Sequence, residues 1–427
     1  MRILETLNYL KENKRILLIC LALLFVLLVV FKFIKAKISN IDLPKGKIVF
    51  SSDIDGDSEI YVMNIDGSGL KQLTNNQSSK LSTATDNDPS FSPNGKEIVF
   101  ISRRQGNETK RPIYNFRDDP IGENFFGGTF DVYIMDSEGR YQIPLTYNTV
   151  SSHPFFSPDG GKIIFNTSLK SNRNQNSLKI IDVISRKEKI LNFSGGMVKF
   201  SLDGKWVFDN FGHDISVMNV DGNSKVKLTH FSDPRDINNS DLGMIFTLSA
   251  DGEKISLVTI KSKNNSICRI FKFYTMNIDG SDLREVYELE AIKAPGFIFT
   301  FKYSPDGNYI IFNASIDGNG IYLLNLADKT LMNLTEGKEY WRQFLDFTFT
   351  PDGKKIVFVA DIFSNSYKYL SIFQKIKMYI KYFLFKKSTP SYDNKYICIM
   401  DIDGSHYRRI AKLPIGSELG RDFIHWE

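Results

Sequence analysis

Apolar residues follow three patterns along this chain. From Ile16 to Phe31 they are unbroken, ILLICLALLFVLLVVF. With Lys32–Ile34, whose lysine can snorkel, the run approaches the ~20 residues that span a bilayer as a helix. From residue 47 onward, short apolar runs alternate with polar turn clusters, the mark of short strands. One segment breaks that rhythm. In KYLSIFQKIKMYIKYFLFKK (368–387), Tyr369, Ile372, Phe373, Ile376, Ile380, Phe383 and Leu384 recur at helical spacing, and Lys375, Lys377 and Lys381 fall on other sides.

The short runs repeat. A turn of the form Ser/Thr-x-Asp/Asn-Gly stands at Ser92–Gly95, Ser157–Gly160, Ser201–Gly204, Ser249–Gly252, Ser304–Gly307 and Thr350–Gly353. Each follows an aromatic run such as PSFS or FKYS and precedes an apolar strand such as KEIVF or NYIIF. A second unit, a strand ending in Asn/Asp-x-Asp-Gly, follows at 60–67, 215–222, 273–280 and 397–404, with VYIMDSEG (132–139) a near match. Leu-Thr closes it at Leu73-Thr74, Leu145-Thr146, Leu228-Thr229 and Leu334-Thr335. Pro pre-sets φ, Asp or Asn bonds the local backbone, and Gly supplies the left-handed position, so each unit reads as a hairpin.

Two hairpins make a four-stranded sheet. The first unit, Lys47–Thr74, lacks the opening aromatic strand, and Asp422–Trp426 resembles the missing piece. The pattern predicts an all-β fold, a seven-bladed β-propeller over 47–427 closed by the C-terminal strand, which leaves no open sheet edge in the ring. One N-terminal transmembrane helix is expected before it, with a tail at 1–15, the anchor at 16–34 and a linker at 35–46. A cleaved signal peptide is the rival. Its apolar region should be shorter, and Phe33, Ile34, Lys35 and Ala36 make a poor cleavage site. Ile19 before Cys20 does not suit a lipoprotein site.

Charge changes the picture in one respect. The chain carries 54 Lys and Arg against 49 Asp and Glu. Seven of those basic and two of those acidic residues lie in the first 37 positions, so the remainder is neutral. The basic excess belongs to the membrane-type segment, and no nucleic-acid partner is expected. The 368–387 segment holds six lysines and no acid, which leaves the propeller proper mildly acidic. Basic residues flank the anchor on both sides and do not orient it.

The repeated aspartates read as turn formers rather than as ligands. Asp53-x-Asp55-x-Asp57 resembles a calcium loop, but Ser58 and Asn64 stand where that loop needs Gly and Glu. Cys20, Cys268 and Cys398 read as small buried apolar residues. His153, His213, His230, His406 and His425 are scattered over different units without a ligand pattern. No catalytic residue, metal or cofactor is expected.

These units resemble the TolB-type propeller repeat, itself related to WD repeats. The pattern P-x-[FW]-S-P-D-G-x-x-I-x-F, then [ED]-I-Y-[VL]-M-[ND]-x-D-G and L-T, is clearest at Pro89–Phe100, Pro154–Phe165, Ile60–Gly67 and Ile397–Gly404. The resemblance implies a cell-envelope protein: an anchor in the inner (cytoplasmic) membrane, single-pass, with the propeller on the periplasmic or extracellular side. TolB is similar only in its propeller, having six blades and a preceding α/β domain for which the linker here is too short. Related peptidase propellers precede a hydrolase domain, and none is expected here. Oligogalacturonate-lyase-like propellers bind a metal through several histidines.

Two long insertions, 103–128 and 361–394, interrupt blades two and seven between second and third strands. Such loops open on the face of the inter-blade connections, so both should share one face. Arg103, Arg104, Arg111, Arg117, Trp341 and Arg342 are the candidate partner-binding residues there. The basic amphipathic segment at about 368–387 suits an anionic membrane surface, with docking of a partner protein or packing on the propeller as alternatives. The expected function is a non-catalytic, membrane-anchored protein-interaction or ligand-binding scaffold with a protein partner in the envelope. The alternatives are a propeller enzyme acting on a glycan or peptide, and an auxiliary subunit of a separate hydrolase or transporter.

Overall fold

The computed structural model describes residues 45–427 apart from 77–84, 104–129, 148, 170–171, 192–196, 211–213, 232–240, 263–268, 292–297, 317–318, 337–340, 363–394, 415–416, 420–423 and 427. The expected anchor at 16–34 and the expected helix at 368–387 lie outside the described residues. No described helix is long and apolar enough to cross a membrane.

Seven four-stranded antiparallel sheets form the domain, each following the chain from its first strand outward, except one. Blade one takes its first strand from the C-terminus: Ile424–Trp426 pairs with Gly46–Ser52, matching Gly46 with Trp426 and Ile48 with Ile424. The seven-bladed, C-terminally closed ring predicted from the repeats is therefore present. A second clasp supports the closure. Ser51 and Glu418 exchange both backbone hydrogen bonds, at 3.0 and 2.8 Å.

The core lies between blades. Val49, Ile60, Val62 and Leu73 of blade one pack with Phe91, Ile98, Phe100 and Met135 of blade two. Comparable two-blade clusters occupy the next five junctions. The repeated phenylalanine that ends the second-strand motif is the main filler. Phe50, Phe100, Phe165, Phe312 and Phe358 are all fully buried, Leu257 takes the position in blade five, and in blade four, where the motif is one residue shorter, Phe208 fills the junction on the other face. Burying a Phe side chain contributes on the order of 1.5–3 kcal/mol. Cys398 is fully buried in the junction of blades six and seven, as read from its apolar strand.

Close approach of blades explains particular glycines. A Cβ on Gly67 would fall 2.5 Å from Ala411 Cβ of blade seven, and one on Gly139 would fall 2.7 Å from the Leu73 carbonyl of blade one. Both also hold φ of +85°, a conformation that costs little only for Gly.

Removing Ile424–Glu427 exposes the edge of Gly46–Ser52 and one side of Phe91, which lies 5.8 Å from the His425 ring. Calorimetry should show a melting midpoint lower by at least about 3 °C. An unchanged midpoint would mean that the Ser51–Glu418 clasp closes the ring alone.

Candidate functional site

Most of the repeated carboxylates are committed to turns. In each Ser/Thr-x-Asp/Asn-Gly turn the hydroxyl donates to the acid or amide two residues on, from 2.5 Å at Ser157–Asp159 to 2.8 Å at Ser92–Asn94. The same hydroxyl accepts the N–H that starts the second strand, as at Lys162 (2.9 Å) and Lys355 (3.0 Å). The serine or threonine hydroxyl, then a backbone N–H, holds Asp159, Asp203, Asp251 and Asp352 below the usual carboxylate range. Asp66 and Asp279 are held down in the same way by Ser68 and Ser281 in the other hairpin turn.

The acid at the head of the third strand has a different partner, the Thr of Leu-Thr. Thr146 donates to Asp131 at 3.1 Å, and Thr229 donates to Asp214 at 3.0 Å. The threonine oxygens also accept the N–H groups of Val132 and Ile215, each at 2.9 Å. This clasp ties the third strand to the chain leaving the blade. In blade one a glutamate replaces the aspartate. Fully buried Glu59 accepts from the Thr74 hydroxyl and the Asn76 N–H. Asn76 also donates its amide to buried Asp86 of blade two at 2.5 Å. Burial, opposed by these hydrogen bonds and reinforced by Asp86 and Asp57, pushes Glu59 up to about 7.

A concavity of about 730 Å³ occupies the centre of the ring, lined by the innermost strands of all seven blades. It reaches the turn residues Pro93 and Pro158, at the strand ends opposite the insertions. Phe155, Lys199, Thr247 and Lys302, each two before its turn serine, form one tier of the wall, and His425 of the closing strand, whose pairing with Lys47 matches it to the turn serine itself, also lines the cavity. Lys199 and Lys302 belong to this tier, each half-buried between fully buried neighbours. One tier deeper, Asp346 of blade seven meets Lys302 of blade six at 3.3 Å.

In blades two and three the innermost strand slips register against the second at Asp88 and His153. Both hold positive φ, 52° and 53°, immediately before a proline. The His153 N–H points at Asp88 Oδ2 at 3.3 Å. Left-handed non-glycine residues cost of order 1–3 kcal/mol each.

Of the residues singled out from sequence, Arg103 ends the second strand of blade two opposite Thr85, with its guanidinium 5.8 Å from the Phe130 ring. Trp341 and Arg342 begin the innermost strand of blade seven, Trp341 pairing with Ile362. That strand end is the root of the second insertion, which begins after Ile362. The backbones of Arg103 and Trp341 thus stand at strand ends on the inter-blade-connection face, in blades two and seven on either side of blade one. Arg104, Arg111 and Arg117 lie outside the described residues, as do Ile372, Phe373, Lys375, Ile376, Lys377, Ile380, Lys381, Phe383 and Leu384. Among the described residues no three His, Cys, Asp or Glu side chains gather to hold a metal. Sequence reading missed the Phe155–Lys199–Thr247–Lys302 tier. Its signal is a fixed offset from the turn serine.

No family model matches the chain. A TolB homologue from Chlorobium chlorochromatii is 30% identical over 145 residues, which cover 28% of this chain and 31% of that protein. The Tol-Pal system protein TolB of Geobacter sulfurreducens is 45% identical over 53 residues, 12% of this chain and 11% of that protein. The chain thus spans under a third of the length of these relatives. Among solved structures, an oligogalacturonate lyase in complex with manganese superposes with a TM-score of 0.50 at 14% identity, over 73% of this chain and 82% of that one. A prolyl endopeptidase gives 0.54 at 10% identity, over 88% and 49%. At such identities these likenesses carry the fold alone. The repeats are TolB-like, and the fold is a seven-bladed propeller.

Glu59 binds its proton more tightly folded than unfolded. Its contribution is full below the ordinary pKa of 4.5 and is lost as pH rises through about 7. Stability should fall across that window by up to about 1.4 kcal/mol per pH unit from this group. Denaturant titrations at stepped pH should show that slope, and Glu59→Gln should flatten it.

Proposed function

We propose that this protein is a non-catalytic scaffold of the cell envelope, held to the inner membrane by residues 16–34, with its propeller on the periplasmic side. It docks a protein partner on the face that carries the two insertions. The observation that carries this reading is where the chain spends its polar residues. The repeated carboxylates are bound to turn hydroxyls and to Leu-Thr clasps, while both long insertions spring from strand ends on one face, beside Arg103 and Trp341.

The TolB-like relatives support the envelope setting, and the name of one of them supports Tol-Pal-type proteins as the class of partner. The sixteen-residue apolar run supports the anchor. The basic 368–387 segment would then lie on anionic lipid or on the partner.

Affinity capture from detergent-solubilised envelopes, with the full chain and with a chain lacking 363–394, tests this reading. A discrete envelope protein should be retained by the full chain and lost, or bound at least about tenfold more weakly, with the deletion. Turnover of a glycan or peptide by the purified full chain, abolished by a substitution in the central cavity, would replace the scaffold with an enzyme.

A further inference from the structure

We propose that the central cavity binds a small organic anion, a carboxylate or phosphate ester, with Lys199 and Lys302 as its charge partners and Trp426 as the platform for its apolar part. This goes beyond the scaffold reading, because the cavity reaches the turn face of the ring and the insertions leave the other.

Size comes first. About 730 Å³ lies within the ~300–1,000 Å³ of ordinary small-molecule sites. Charge comes second. The cavity wall presents two ammonium groups, Lys199 and Lys302, against one carboxylate, Asp346. Lys302 spends one of its three donors on Asp346 at 3.3 Å, and Asp346 Oδ1 also accepts the Phe347 N–H at 2.7 Å. The rim does not cancel this bias. In five of the six turns the acid or amide is followed within three residues by a lysine, as Asp159 is by Lys162 and Asp203 by Lys205. The lining therefore holds one more basic than acidic side chain, inside a concavity with low-dielectric sides.

The wall is also fixed in place. Asn210 accepts the Met197 N–H at 2.7 Å and donates to the Met244 carbonyl at 2.6 Å, joining the innermost strands of blades four and five. Asn313 accepts the Thr300 N–H at 2.7 Å in blade six. The lysines thus project from strands whose irregular stretches are pinned from behind, which lowers the cost of ordering them around a ligand. Trp426, half-buried in the closing strand, supplies an aromatic surface on the same cavity.

Isothermal titration of the full chain in detergent, at constant ionic strength, tests this with three probes: citrate, phenyl phosphate and the neutral phenyl β-glucoside. One or both anions should bind with one-to-one stoichiometry, and the glucoside should not. Lys199→Met and Lys302→Met should each weaken the anion by about tenfold or more, as expected for losing a charge-assisted hydrogen bond. Their melting midpoints should stay those of the parent chain. Deleting 363–394 should leave the titration unchanged even where it abolishes partner capture, which separates this site from the scaffold face. Failure of both anions to bind at millimolar concentration, equal binding of the glucoside, or unaltered affinity in both folded lysine variants would overturn the proposal.

Discussion

The structure depends on the fact that no blade can bury its own faces. A four-stranded sheet has two of them, and here the apolar side chains of each face meet those of the next blade. The clusters that join blades one to two, and so on to six to seven, are each built from two consecutive repeats. Each repeat is stable only because it has neighbours, the usual condition of repeat architectures. In a ring that condition also applies to the first and last blades. The chain meets it by sending Ile424–Trp426 back to Gly46–Ser52 and by adding the Ser51–Glu418 pair.

That constraint sorts the residues into fixed and free positions. The second-strand phenylalanine is fixed because it fills the junction. The turn serine and its acid are fixed because they close the hairpin at a set spacing. Gly67 and Gly139 are fixed because the neighbouring blade comes within van der Waals distance. What stays free is the side of the innermost strand that faces the channel. There, in blades three to six, the equivalent position reads Phe155, Lys199, Thr247 and Lys302. Four blades use three residue types at one geometric position, so the chemical identity of this propeller is written on its axis.

The same sorting explains what was legible in the sequence. Blade count and closure were readable because each turn and each strand motif is local, a few residues that declare their own geometry. The destiny of the aspartates was readable too, since Ser157 and Asp159 are two residues apart. The Glu59 site was not. It joins Glu59 to Thr74, fifteen positions on, and through Asn76 to Asp86 on the following blade. The axial tier was hidden for another reason. Innermost strands slip register near Asp88, His153 and Asp346, so alternation along the strand misassigns its faces, and only counting back from the turn recovers them.

The two ends of the ring are built by different rules, and this bears on how such a protein can acquire function. On the turn face, four-residue hairpins with tight hydrogen bonds leave little room for added chain. On the opposite face, second and third strands are joined by connections that tolerate length, since a longer surface loop costs only about 0.6 kcal/mol per doubling. Both long insertions lie there, at the ends of Glu97–Arg103 and Lys355–Ile362. Blade one, where the ring closes, lies between the blades that carry them. A propeller of this kind can change partner on one face, by altering loops, and ligand on its axis, by altering single strand residues, without either change disturbing the junctions that hold the blades together.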